Sequence, residues 1–236
     1  MKPLTTALFT ALLLPNLGLA EVASPADPAT TASFDILTAE VTRSGDALTF
    51  RMTTNGIAGA DTPAPTGALA GAPVHAYVWP TSLDPEAVGF EPGTGILALA
   101  ATSHPDFDDT PLYDENGDGD LANDGLAWHA HWVVLTPSDA CGPGALSVRD
   151  IPEGTTPQLP KTWPGLPLFI DSPDAKPRFD GPTVSIAIDV DGAEGASFDG
   201  VTSALRVNAD LHAPLLCVTD VFDVASGDLS LPGKID

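Results

Sequence analysis

The chain has 236 residues, and its 32 acidic against 9 basic side chains give a formal net charge of −23. A surface so acidic repels phosphate backbones and anionic lipid heads, which excludes nucleic acid as a partner and suits metal cations. With 22 Gly and 24 Pro, against a typical combined share of ~12 %, the chain is punctuated too often for a helical bundle.

Residues 1–20 read as a secretory signal peptide. Met1-Lys2 is a positive start, Leu4 to Leu14 is largely apolar and uncharged, and Gly18-Leu19-Ala20 supplies small residues before a cleavage point at Glu21. The apolar stretch falls short of the ~20 residues of a membrane helix, and no later run is long enough to span. The expected product is exported, either periplasmic or secreted and associated with the outer cell surface. Residues 21–32, rich in Ala, Pro, Ser and Thr, read as a disordered N-terminal tail ahead of one domain over 33–236.

The domain opens with a β-hairpin. Ser33 to Val41 and Ala47 to Thr54 alternate apolar and polar residues around the turn Ser44-Gly45-Asp46. A Gly/Ala/Pro/Thr loop over 58–72 precedes a strand at Val74–Trp79 and a buried-looking one at Gly95–Thr102. After an acidic loop, Leu126 to Thr136 is the most strand-like run in the chain. A short strand follows at Ala145–Arg149, then a proline-rich stretch to Pro177 and three further strands at Thr183–Val190, Gly200–Ala209 and Ala213–Val224. No window carries a sustained period near 3.6, so the fold class is all-β, a single β-sandwich-like domain with long Pro/Gly/Asp-rich loops. The expected state is a monomer.

Three features carry chemistry. In the loop over 103–125, Asp114, Asn116 and Asp118 fall at positions 1, 3 and 5 of a calcium-loop pattern, with Gly119 at 6 and Asp120 at 7. Position 12 is Gly125 rather than a bidentate Glu, so this is not an EF-hand. The expectation is a structural calcium ion held by Asp114, Asn116, Asp118, Asp120 and Asp124, with the Asp106–Asp109 cluster as the nearest further donors. The alternative is a solvated acidic turn.

His129 and His131 lie two apart on the best strand, so both rings point to one face and can share a metal ion. Trp128, Ala130 and Trp132 then take the opposite face. His212 stands just before the strand that carries Cys217. Cys141 and Cys217, alone in the chain, are expected to pair as a disulfide in an oxidising compartment. That bridge would draw the His212 segment toward the His-x-His strand. Three imidazoles suit copper or zinc, and the expected site is His129, His131 and His212. His75 and His104 read as structural residues, the latter an anchor at the loop entrance.

Tyr77-Val-Trp-Pro-Thr-Ser82, Thr102-Ser-His-Pro-Asp-Phe-Asp-Asp-Thr-Pro111, Trp128-His-Ala-His-Trp132 and Ala213-Pro-Leu-Leu-Cys217 resemble the MopE/CorA group of copper-repressible, surface-associated copper-binding proteins of methanotrophs. The resemblance implies a mononuclear copper site, largely Cu(I), built from two histidines and a tryptophan oxidised to kynurenine, together with a calcium ion. Trp128 and Trp132 are the nearest candidates for that aromatic, and Trp128 joins the expected copper site. In the group the tryptophan lies two residues before its histidine. Here those places hold His129 and Ala127, a departure that points to three histidines instead.

The expected function is therefore a non-catalytic, exported copper-binding protein for acquisition, storage or buffering. Two other classes compete with it. One is a secreted metalloenzyme at the same histidines, a copper oxidase or a zinc hydrolase, for which Asp210 is the nominated base unless Asp106–Asp109 folds back. The other is a sugar- or haem-binding sandwich without a metal site of its own.

Overall fold

A computed structural model describes residues 21–236, so the signal-peptide reading lies outside the described residues. Strands run in the order β1 (Glu21–Ala23), β2 (Ile36–Ser44), β3 (Ala47–Thr54), β4 (Pro73–Pro80), β5 (Ile96–Ser103), β6 (His129–Pro137) and β7 (Leu146–Val148). There follow β8 (Ile170–Asp171), β9 (Arg178–Asp180), β10 (Thr183–Asp189), β11 (Ser197–Phe198), β12 (Val201–Val207), β13 (Leu216–Val224) and β14 (Gly233–Lys234). All pairings are antiparallel, and the all-β expectation holds.

The strands make two main layers. One is an open sheet in the order β1-β2-β3-β10-β9; in the other, β5-β4-β12-β13-β7-β6 closes on itself through β5–β6 pairing, with β8 added on β6. The second layer is thus a six-stranded barrel with a sheet packed on one side. The expected disordered tail instead starts as an edge strand, with Val22 buried and Glu21–Ala23 registered on Thr38–Glu40.

Strand composition explains the layering. Leu97-Ala-Leu-Ala-Ala101 does not alternate because both of its faces are buried, as a strand covered on both sides requires. Leu97, Leu99 and Ala101 face the open sheet, in one cluster with Trp79, Trp132, Phe50 and Ile186. Ala98 and Ala100 face the barrel interior with Val74, Val78, Val133 and Leu205. Phe50 anchors the layers by meeting Trp79 and Trp132 edge-on at centroid distances of 6.1 and 5.8 Å. Burying each such aromatic contributes on the order of 2–3 kcal/mol.

The disulfide Cys141–Cys217 forms. It fits an oxidising, exported environment. No helix among the described residues is long and apolar enough to cross a membrane.

Candidate metal centre

Strands β5 and β6 form one hairpin around the acidic loop, with Thr102 opposite His129 and Ala100 opposite His131. Residues 100, 102 and 104 therefore share a face with 129 and 131, so the hairpin alone sets His104 beside His129. The loop then carries Asp109 back over the same end of the barrel. His104, Asp109, His129 and His131 are all buried, and their donor atoms lie within 4.8 Å of one another. The Nε2 atoms of the three histidines each lie 3.2 Å from Asp109 Oδ1, and those of His104 and His129 are 2.9 Å apart.

The hydrogen bonds fix the tautomers. His104 Nδ1 donates to Phe107 O at 2.9 Å, His129 Nδ1 to Ala127 O at 2.7 Å and His131 Nδ1 to Asp171 O at 3.0 Å. A carbonyl can only accept, so each Nδ1 bears a hydrogen, and Nε2 is the atom each ring turns inward; in the neutral ring that atom carries a bare lone pair. Three Nε2 atoms thus face one carboxylate oxygen among buried side chains. Asp109 Oδ1 and His131 Nε2 have no hydrogen-bond partner.

Burial alone would favour the neutral acid at Asp109, yet the rings of His104 and His131 beside it, when charged, hold its carboxyl well below the usual carboxylate range. Neutral rings carry no such charge, and a metal cation bound between them would supply it. Backbone carbonyls that accept from the outer N–H of an imidazole are the usual support of a histidine that ligates a metal. A spacing of 3.2 Å is also near the ~3.3 Å between neighbouring donors around a tetrahedral ion with bonds of ~2.0–2.1 Å.

Local packing holds the donors in place. The Phe107 ring stacks on His104 at 3.9 Å with an interplanar angle of 8°, and Ser172 Oγ donates to Asp109 O at 2.6 Å. His104 N donates to Gly125 O. A Cβ at Gly125 would sit 1.8 Å from Phe107 O and 2.4 Å from His104 O, so no side chain fits there. Nearby, burial raises the Asp171 carboxyl above its ordinary range, against the hydrogen bond from Thr162.

Two expected copper ligands lie elsewhere. His212 is exposed, in the turn between β12 and β13, its Nδ1 turned to Ala213 O. Asn208 closes that turn on Leu215, so β13 starts at Leu216 rather than Ala213. The disulfide ties the wrong end of the strand: Cys217 lies opposite Ser147, itself opposite Thr136. That position is five residues beyond His131, ~17 Å along a strand. Trp128 is on the opposite face, its indole donating to Gly59 O at 3.1 Å and packed on Tyr77 and Phe179. The alternation that pairs His129 with His131 excludes Trp128 and Trp132 from their company. Asp210, the nominated base, is exposed beside His212.

In the acidic loop, the expected calcium ligands bond their own backbone. Asp114 accepts from the amides of Gly117, Asp118 and Gly119, Asn116 from Asp118, Asp118 from Asp120, and Asp120 from Ala122. Asp124 is buried and accepts from Glu115 and Asn116. Comparison with family models, curated proteins and solved structures returns no match.

Proposed function

We propose that this chain is an exported metal-binding protein that holds one transition-metal ion between His104, His129, His131 and Asp109. The observation that carries the reading is the convergence of three imidazole Nε2 atoms, each ring held by a carbonyl at Nδ1, on one buried carboxylate oxygen without a hydrogen-bond partner. Without a cation this arrangement is electrostatically unfavourable; with one, every donor is used.

Copper fits as a divalent ion. A carboxylate in the donor set moves the preference from the Cu(I) expected of a purely nitrogen site toward Cu(II), which heads the affinity order for such ligands, with zinc as the competitor. A copper acquisition or buffering role of the MopE/CorA kind rests on motif texture alone. The kynurenine of that group has no counterpart in this ligand set. Calcium at Asp114, Asn116, Asp118, Asp120 and Asp124 rests on spacing alone, since the loop's own amides take up those oxygens.

Elemental analysis of protein purified from its native host tests the reading. About one copper or zinc per chain is expected. It should be lost in His104→Ala and His131→Ala and kept in His212→Ala. Full occupancy in the His104→Ala/His131→Ala double variant overturns the assignment.

A further inference from the structure

The barrel encloses a cavity of about 470 Å³, within the ~300–1,000 Å³ usual for small-molecule sites. It exists because β4 and β5 place Ala76 and Ala100 where larger side chains would fill the centre. Its walls are otherwise carried by residues such as Val78, Val133, Val201 and Leu205. His104, Asp109, His131 and Thr102 line one end, Ser203 the middle, and Thr81, Ser82 and Asp84 the other end. Further along the same strands come Pro80, Leu135 and Ile96, the last exposed to solvent; Leu229, also exposed, lines the cavity too.

Three buried side-chain atoms among the described residues have no hydrogen-bond partner: Asp109 Oδ1, His131 Nε2 and Thr102 Oγ1. The metal centre accounts for the first two. Thr102 is directly opposite His129, so the third orphan, a hydroxyl, lies at the same end of the cavity. Buried polar groups left unpaired cost stability, and a site built for a ligand explains them.

We infer that the barrel binds an elongated apolar molecule ending in a carboxylate, of the medium-chain fatty acid class, with its head at the metal centre and Thr102 and its tail along the barrel. The inference rests on the metal-centre reading. A divalent ion beside the single carboxylate of Asp109 leaves one net positive charge in a buried place, and an anionic head cancels it. Thr102 Oγ then donates to a head oxygen. The apolar wall suits a hydrocarbon tail and offers few partners to a sugar. At ~30 Å³ for a water-sized group, the volume accepts a chain of roughly twelve to sixteen carbons.

The test uses the exported chain, stripped of lipid and loaded with Co(II) or Zn(II), with metal content measured on every sample. Titration with dodecanoate should show one molecule bound per chain and shift the visible Co(II) spectrum. Removing the metal, or replacing dodecanoate by dodecanol, should weaken binding by about tenfold or more. Thr102→Val should cost roughly five- to tenfold. Val78→Phe, which fills the barrel away from the metal, should abolish binding; both variants should keep their metal. Metal-loaded protein that ignores dodecanoate overturns the inference, as does equal binding by dodecanol or by Val78→Phe. A chain that never takes up metal overturns the centre itself, and metal content reads that outcome separately.

Discussion

Asp109→Asn should act in opposite directions with and without metal. In the metal-free chain at pH 8.5, Asp109 Oδ1 faces three Nε2 atoms at 3.2 Å and has no hydrogen-bond partner. An asparagine of the same shape can turn its amide N–H groups toward those lone pairs. That removes an unsatisfied buried acceptor, worth ~1–3 kcal/mol, and forms one or two hydrogen bonds of ~0.5–1.5 kcal/mol each. Allowing for imperfect geometry, the variant should gain about 1–3 kcal/mol. At ~2–4 °C per kcal/mol for a domain of this size, its melting temperature in chelator should rise by several degrees. With metal at a hundredfold over its dissociation constant, wild type gains ~2.7 kcal/mol from binding, and the variant should lose most of it together with the anionic ligand. Melting by circular dichroism, with chelator and with Zn(II), reads both effects. A variant less stable than wild type in chelator would mean that Asp109 is a structural anchor, and wild-type metal affinity would remove it from the ligand set.

Four other outcomes follow from the same geometry. Gly125→Ala keeps every ligand, but its Cβ would collide with the carbonyls of Phe107 and His104; elemental analysis should find metal lost from a chain whose far-ultraviolet spectrum is unchanged. Cys141→Ala/Cys217→Ala opens a link between residues 76 apart, so denaturant unfolding should show a loss of about 4–5 kcal/mol in the entropic account, while the folded variant, changed only at the distant end of β6, should still bind metal. Asp210→Ala/His212→Ala should leave both metal content and melting temperature where they were. Burial pushes the Tyr77 phenol up to about 12, against the hydrogen bond from Gly59, whereas an unfolded tyrosine titrates near ~10. Folding thus opposes its ionisation, stability is full below pH ~10 and falls by about 2–3 kcal/mol as pH climbs through the folded value. Difference absorbance should show a phenolate that appears only together with unfolding, and a Tyr77 that ionises near pH 10 in the folded chain would contradict the burial argument.

Much of the fold was legible because strand alternation and turn chemistry act locally. Ser44-Gly45-Asp46 set the hairpin of β2 and β3, and the alternation of Trp128 to Trp132 placed the histidines on one face. What the alternation could not say is that both faces of β5 and β6 are inside, one against a sheet and one in a barrel. The pair His129–His131 was readable for the same local reason, whereas the rest of the centre depended on pairing. His104 became a partner because β5 and β6 are hydrogen-bonded neighbours around the acidic loop, a relation that the sequence separation of 25 between His104 and His129 conceals. The disulfide drew attention to His212, but a link between two chain segments says nothing about which ends of the strands it joins. The edge strand at Glu21–Ala23 escaped because Val22 alone supplies its buried side chain.

The acidic loop and the alanine-bearing strand serve one site in different ways. Asp124 N donates to Asp108 Oδ2, Asp124 in turn receives the amides of Glu115 and Asn116, and Asp108 Oδ1 receives that of Thr110. These bonds fasten both ends of the loop to each other and fix the residue next to Asp109 without using any histidine. The donors are therefore held before an ion arrives, so binding need not meet the cost of ordering them. The same rigidity prevents the empty centre from relaxing its opposed lone pairs, which is why stability and metal affinity should part company at Asp109. Ala76 and Ala100 complete the argument from the other side: had they been leucines, the barrel would be filled and the centre would be sealed from any ligand larger than the ion itself.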